Sequence, residues 1–145
     1  MKYYIAYGSN LNMSQMALRC PDATPVTSAL LTDMTMVFRG NARGCGVATV
    51  ERKVGSDVPV GIWKISAEDE KSLDRYEGYP YLYLKKYVKV HVDGKEVSAL
   101  IYIMTPGRTK VAPSSSYYET IKQGYRDFGF DVHQLARFAE KGGAK

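Results

Sequence analysis

One carboxylate of this chain has the sequence setting of a catalytic acid and base. Glu77 ends a run that predicts a helix and lies four residues after Leu73, so the two side chains share one helix face. Leu73 turns that face inward, and both burial and the negative end of the helix dipole raise the pKa of a carboxyl group. A pKa near neutrality suits general acid and base catalysis. The alternative is a surface glutamate paired with Arg75 or Lys71.

A short loop after the first predicted strand is a candidate anion-binding site. It consists of Tyr7, Gly8, Ser9, Asn10 and Leu11, and it precedes a predicted helix. Gly8 lets the backbone approach a ligand closely, and free amides of the loop present partial positive charge to a carboxylate or phosphate. The loop lacks the lysine and further glycines of a nucleotide-binding P-loop. An ordinary strand-to-helix turn is the alternative interpretation.

A third segment places a tyrosine at the start of a later predicted helix. Tyr117 follows Pro113 and Ser114, and Gly124 comes seven residues after it. In the first turn of a helix, a tyrosine can direct its hydroxyl into a pocket while its ring packs beneath. Core packing is the commoner role of a single tyrosine and remains the alternative.

The other reactive residues form no recognisable catalytic or metal-binding pattern. Cys20 and Cys45 allow at most one disulfide, and neither His91 nor His133 lies in the context of a cysteine hydrolase. Neither histidine has further ligands at a spacing that suits zinc, so we predict no metal site. Asp74 is expected to be structural, either capping backbone or pairing with a basic side chain.

The elements that must position these residues are strands interrupted by short helices. Asn12 with Gln15 and Ser66 with Asp69 are N-cap pairs that open helices, and Asp93-Gly94 is the signal for a type I′ hairpin. Periodicity predicts strands at residues 2–7, 29–38, 46–50, 58–65, 81–92 and 96–104. It predicts helices at 12–20, 67–77, 116–128 and 131–141, the last two opened by Ser116 with Glu119 and Asp131 with Gln134, and a frayed tail at 142–145.

This order of elements indicates the fold class. The helices are inserted at irregular intervals, which does not match the alternation of a parallel doubly wound sheet. We therefore predict an α+β fold built around a small, mostly antiparallel β-barrel with flanking α-helices. A length of 145 residues fits one domain, so we predict a single domain over residues 1–145.

Composition and charge narrow the class of protein. Apolar runs are far shorter than the roughly 20 residues that span a bilayer, and the N-terminus lacks a signal peptide's apolar core. We expect a cytoplasmic protein with no membrane partner. The 20 Lys+Arg exceed the 15 Asp+Glu by five, but these charges are interleaved along the chain, so we predict no nucleic-acid partner. Twelve tyrosines as stacking surfaces keep nucleic-acid binding open as an alternative.

The three segments, in this order and spacing, resemble the γ-glutamylcyclotransferase family. The matching residues are Tyr7-Gly8-Ser9-Asn10-Leu11, then Leu73-Asp74 with Glu77-Gly78, then Pro113-Ser114 with Tyr117 and Gly124. The match spans nearly the whole chain. The resemblance implies a small mixed barrel with a pocket at one end for a γ-glutamyl group. It also implies that the α-amino group of that unit attacks its own γ-carbonyl, releasing an amine and closing 5-oxoproline without a cofactor.

The resemblance assigns a role to each matched residue. Glu77 would take a proton from the α-ammonium group and deliver one to the departing amine. The loop from Gly8 to Leu11 would hold the substrate and stabilise negative charge on the γ-carbonyl oxygen, with Tyr7 supporting the loop. Tyr117 would line the pocket. Lys85 stands where many bacterial relatives carry arginine, which leaves the leaving amine open. We expect a small-molecule γ-glutamyl substrate and a monomer or homodimer.

Two other functions are compatible with the same residues. A non-catalytic protein of this fold that binds a small anion or metabolite would keep the loop and Tyr117 but gain no turnover from Glu77. A basic, tyrosine-rich nucleic-acid binder would lose affinity steeply as salt rises.

Overall fold

The structure, a computed structural model, describes residues 1–142, which form a five-stranded sheet and four α-helices. The strands are β1 (Lys2–Ala6), β2 (Thr24–Gly40), β3 (Gly46–Ile65), β4 (Tyr83–Val92) and β5 (Lys95–Met104). The helices are α1 (Met13–Arg19), α2 (Ala67–Glu77), α3 (Ser115–Asp127) and α4 (Val132–Gly142). A single 3-10 turn, Ser9–Leu11, joins β1 to α1.

The strands are ordered β2-β3-β1-β5-β4 across the sheet. Three of the four pairings are antiparallel, and β1 lies parallel to β5. The predicted α+β class and the mostly antiparallel sheet are therefore confirmed. The term barrel overstates how far the sheet closes, because a barrel requires its outermost strands to pair with each other. Within residues 1–142, β2 and β4 are the two ends of an open sheet.

Two of the predicted strands are parts of one long strand. β3 runs without interruption from Gly46 to Ile65 and pairs with β2 along most of its length, so the break predicted between 50 and 58 is wrong. Most residues of that stretch are exposed, and the polar sequence there gives no alternating apolar signal. A register shift near Asp33, whose φ of 59° is positive, accommodates Gly55 on the partner strand.

The helix ends follow the predicted caps at α1 and α2. Asn12 accepts a hydrogen bond from the Gln15 amide at 3.0 Å. Ser66 and Asp69 form a reciprocal capping box, and α2 spans the predicted residues 67–77. Gly78 ends α2 in the left-handed conformation, with φ of 65°, where glycine has no side-chain clash.

Two later predictions, the cap of α3 and the end of α4, need adjustment, and the predicted hairpin turn is confirmed. The cap of α3 is Ser114, which accepts from the Tyr117 amide, and not Ser116 as predicted. The hairpin between β4 and β5 turns at Asp93 and Gly94 as predicted, with φ of 52° and 77°. Gly142 ends α4, and the rest of the predicted tail, 143–145, lies outside the described residues. No helix of the described chain is long and apolar enough to cross a membrane.

The packing of α3 decides where the loop after β1 lies. At Gly124 a Cβ atom would come within 2.6 Å of the Leu11 Cβ and 2.7 Å of the Asn12 nitrogen. Glycine therefore allows the helix to pack directly on the 3-10 turn. Leu11 and Tyr125 are fully buried beside this contact. The end of β1, the 3-10 turn and α3 thus form one wall of the pocket described next.

Candidate active site

A pocket of about 200 Å³ opens where the end of β1 meets the C-terminal end of α2 and the start of α3. Its floor and walls also include the first residues of β3 and β4 and the end of β5. The residues that line it are Tyr4, Tyr7, Gly8, Ser9, Asn10, Asn41, Val47, Ala48, Tyr76, Glu77, Leu82, Tyr83, Tyr102 and Tyr117. The pocket therefore brings together Glu77, Tyr117 and four of the five loop residues predicted from the sequence.

Glu77 is the carboxylate of this pocket. Leu73, on the same helix face, is fully buried, and Glu77 is half-buried at the last position of α2. Burial raises the pKa of Glu77 to about 8, while the positive charge of Arg19 acts to lower it. Part of the Glu77 side chain remains accessible to solvent because it faces the pocket. The tyrosines around it exclude most of the water that would otherwise solvate the carboxylate.

The alternative of a salt-bridged surface glutamate does not hold. Arg75 is exposed and donates to the Ser72 hydroxyl, and Lys71 pairs with Glu68. Within the described chain, the cation that influences the Glu77 carboxyl is Arg19, acting through its charge and not through a hydrogen bond. The oxygens of Glu77 are therefore left for a ligand.

The loop presents backbone and small side chains to the pocket. The Leu11 and Asn12 amides are occupied by the Gly8 and Ser9 carbonyls at 3.0 and 3.1 Å, whereas Ser9 and Asn10, first in the turn, have no partner inside it. A Cβ atom at Gly8 would lie 3.2 Å from the Ala48 Cβ, so glycine permits β3 to approach closely.

Leu11 differs from the other predicted loop residues. It does not line the pocket, since its side chain is fully buried against α3 and its amide is bonded to Gly8. Its contribution is to anchor the loop. Tyr7 lines the pocket, and its hydroxyl donates to the Tyr102 carbonyl on β5 at 2.6 Å.

Tyr117 directs its hydroxyl into the pocket from the first turn of α3. The hydroxyl accepts from the Ala48 amide at 3.0 Å, and the ring packs edge-on against Phe38. Tyr83 donates its hydroxyl to the carbonyl of the same Ala48. Burial raises the pKa of both phenols, so they remain protonated and can donate hydrogen bonds at neutral pH.

Several pocket residues were not predictable from local sequence patterns. Tyr4, Tyr83 and Tyr102 come from three strands, and strand tyrosines usually signal packing. Tyr76, which lines the pocket beside Glu77, bonds the Ser9 hydroxyl at 2.9 Å. Arg19 lies behind Tyr76, with its guanidinium carbon 3.6 Å from the ring centroid. The sequence carries no spacing signal for this last contact.

Asp74 and Lys85 take part in contacts that attach α2 to the sheet. Asp74 pairs with Lys85 at 2.9 Å and accepts from the Tyr102 hydroxyl at 2.6 Å, in line with the predicted structural role. Lys85 also contacts Glu70, at 2.7 Å. Lys85 does not line the pocket, and its two ion pairs attach β4 to α2.

The cysteines and histidines lie apart from the pocket lining. Cys20 is buried, and burial raises the pKa of its thiol to about 12, which disfavours the reactive thiolate. His91 is exposed on β4, and His133 contacts Asp131. Among residues 1–142, no group of three or more histidines, cysteines or carboxylates is arranged to hold a metal ion.

Comparison with known proteins places this arrangement in one family. The model of the family described as "Gamma-glutamyl cyclotransferase, AIG2-like" matches residues 4–124. Gamma-glutamylcyclotransferase of Homo sapiens is 34% identical over 138 residues, which is 89% of this chain and 72% of that protein, and the Bos taurus protein is equally similar. A solved structure named Gamma-glutamyl cyclotransferase has 30% identity and a TM-score of 0.82, covering 94% of this chain and 85% of its own. The chain belongs to the gamma-glutamyl cyclotransferase, AIG2-like family of enzymes.

Proposed function

We propose that this enzyme converts a γ-glutamyl compound into 5-oxoproline and a free amine, with Glu77 as general acid and base. The substrate is a γ-glutamyl amino acid, peptide or amine. The observation that carries this proposal is the Glu77 carboxyl itself. It lines the same pocket as the loop, and burial raises its pKa to about 8.

The chemistry needs a proton to move twice. The α-ammonium group of the γ-glutamyl unit loses a proton to the Glu77 carboxylate, and the freed amine attacks the γ-carbonyl carbon. The bond from this carbon to the leaving nitrogen breaks as Glu77 returns the proton to that nitrogen. The attacking nitrogen gives up its second excess proton to the released amine, so the products are a neutral lactam and an ammonium ion. A carboxyl group whose pKa lies near the working pH can carry out both transfers.

The loop and the tyrosines supply the rest of the catalytic effect. The amides of Ser9 and Asn10, which have no partner inside the turn, can donate to a carboxylate or to the developing oxyanion. The neutral hydroxyl of Tyr117, which accepts from the Ala48 amide, keeps its own proton for a further hydrogen bond. Walls on several sides favour the folded-back conformer of the substrate, and such positioning lowers a barrier by about 7–11 kcal/mol.

The test is turnover of a substrate panel. We expect 5-oxoproline, detected by mass spectrometry, from at least one γ-glutamyl amino acid, dipeptide or alkylamine. Glu77→Gln should lower kcat by about 10²–10⁴-fold, because the amide cannot accept the proton. The matched control is Glu68→Gln on the exposed face of the same helix, which should retain full activity. Ligand binding without any product would instead favour the non-catalytic binding protein.

A further inference from the structure

Arg19 occupies an unusual position for a cation next to a candidate general base. It is the last residue of α1 and is half-buried. Its guanidinium group lies against the face of the Tyr76 ring, 3.6 Å from the centroid. Two of its nitrogens donate at 2.7 Å, one to the Asn10 side chain and the other to Gln15. The guanidinium group therefore contacts the loop through Asn10, its own helix through Gln15 and α2 through Tyr76.

These contacts connect the loop to the residue that precedes Glu77. The Asn10 amide nitrogen donates to the Tyr4 hydroxyl at 2.9 Å, while its oxygen accepts from Arg19. Tyr76, stacked on Arg19, bonds the Ser9 hydroxyl. The loop is thus tied to the last turn of α2 by two routes, one the direct bond between Ser9 and Tyr76 and the other through Arg19, which bonds Asn10 and stacks on Tyr76.

Arg19 also differs from the other groups around Glu77 in carrying a positive charge. Besides Tyr76, the titratable groups that line the pocket with Glu77 are the phenols of Tyr4, Tyr7, Tyr83, Tyr102 and Tyr117, whose pKa values burial raises. These phenols stay neutral at the pH of the reaction. Within the described chain, Arg19 is the cation whose charge acts on Glu77.

We propose that Arg19 is a positioning residue of this active site, which clamps the loop onto the last turn of α2 and supplies the positive charge that stabilises the Glu77 carboxylate. The inference rests on the proposed function of Glu77. It extends that function to a residue outside the pocket lining. A planar guanidinium can stack on a ring and donate in two directions at once, which a lysine ammonium cannot do.

Two substitutions separate the clamp from the charge. Arg19→Lys keeps the charge and loses the stacked, forked contacts, and Arg19→Gln loses both. Arg75→Gln is the matched control, since Arg75 is an exposed cation on the same turn of α2 as Tyr76. Thermal melts followed by circular dichroism establish that each variant is folded.

We expect both Arg19 variants to lose between about tenfold and a hundredfold in kcat/KM through misplacement of the loop. The rising limb of the pH profile should move to higher pH in Arg19→Gln and remain close to that of the unaltered enzyme in Arg19→Lys. Arg75→Gln should leave both readouts unchanged. An Arg19→Gln enzyme with unchanged kcat/KM and an unchanged limb would overturn the proposal, as would an Arg75→Gln enzyme with the same shift.

A second readout keeps this proposal separate from the proposed function. If the unaltered protein makes no 5-oxoproline from any substrate, the proposed function has failed. The titration midpoint of Glu77 can still be measured by carbon-13 NMR in the unaltered protein and in Arg19→Gln. A midpoint that rises in Arg19→Gln supports the action of Arg19 on Glu77, and a midpoint that stays in place contradicts it.

Discussion

A single carboxyl group among tyrosines is central to the chemistry proposed for this site. Glu77 ends α2, where the helix dipole disfavours negative charge, and the buried phenols of Tyr7 and Tyr83 replace the water that would solvate it. Arg19 opposes this effect in part. The balance leaves Glu77 with a pKa of about 8, so that it exchanges protons readily at the pH of a cell.

The pH dependence of the rate follows from this value. The carboxylate of Glu77 is the form that accepts a proton, and it predominates above a pKa of about 8. We expect kcat/KM to rise about tenfold per pH unit below that value and to level off above it. Initial rates between pH 6 and 8.5, roughly spanning the expected limb, provide the measurement. A rate that is constant throughout this interval would contradict Glu77 as the base.

Stability should depend on Glu77 with a defined sign. The folded pKa of about 8 lies above the ordinary value of 4.5, so between these values the folded state holds a proton that the unfolded state has lost. Stability contributed by that proton is present at low pH and is lost as pH rises toward 8. Glu77→Gln, which stays neutral, should therefore exceed the unaltered protein in stability by on the order of 3 kcal/mol at pH 8.5.

The same variant should show a much smaller difference near pH 5, where the folded protein keeps Glu77 protonated. Urea denaturation at the two pH values measures this contrast. Glu68→Gln, on the exposed face of α2, should show no such pH dependence. An equal effect of Glu77→Gln at both pH values would show that the fold does not disfavour the Glu77 carboxylate. Loss of activity with a gain in stability is the expected pattern for a catalytic group.

At the scale of elements, the loop is placed by a helix that contributes little to the pocket lining itself. Gly124 lets α3 pack on the 3-10 turn, and Leu11 fills the space beneath. The motif that joined Tyr117 with Gly124 in the sequence therefore has a physical reason. One residue brings a hydroxyl to the pocket, and the other allows its helix to lie close enough.

A methyl group at Gly124 tests this contact. Alanine favours a helix over glycine by roughly 0.5–1 kcal/mol, so propensity alone would make Gly124→Ala stabilising. The added Cβ would lie 2.6 Å from the Leu11 Cβ, and we expect overpacking to destabilise the protein by about 1–3 kcal/mol instead. Displacement of the loop should also raise KM for the γ-glutamyl substrate.

Urea denaturation and steady-state kinetics measure the two effects. Gln123→Ala, at the neighbouring exposed position of α3, is the control and should change stability by less than about 0.5 kcal/mol. A Gly124→Ala protein that is more stable than the unaltered one, with an unchanged KM, would show that the close packing of α3 on the loop is not required.

Elements with strong local signals can be predicted from this sequence. α2 has a capping box at one end and a glycine at the other, and the hairpin at Asp93 has its two-residue turn. The outer parts of β2 and β3 cannot be predicted in the same way. They pair with each other outside the core, as Thr32 does with Asp57, so these exposed residues carry no alternating pattern.

At the scale of the whole molecule, the pocket is formed by segments that are far apart in the sequence. The loop, Glu77 and Tyr117 are predictable because each belongs to a short motif in a fixed order. Arg19 and Tyr102 are not, since their role depends on how α1 and β5 pack against α2. The open edge of the sheet cannot be predicted from the sequence either, because strand patterns alone do not distinguish an open sheet from a closed barrel.

The titration of the Glu77 carboxyl is the most direct test of the proposed chemistry. Protein labelled with carbon-13 at the glutamate side-chain carboxyl would be followed by NMR from acid to alkaline pH, with Glu77 assigned by the signal that Glu77→Gln lacks. If the pocket makes Glu77 a general base, its midpoint should lie near 8 and coincide with the rising limb of kcat/KM. A midpoint near the ordinary glutamate value of 4.5 would contradict that role.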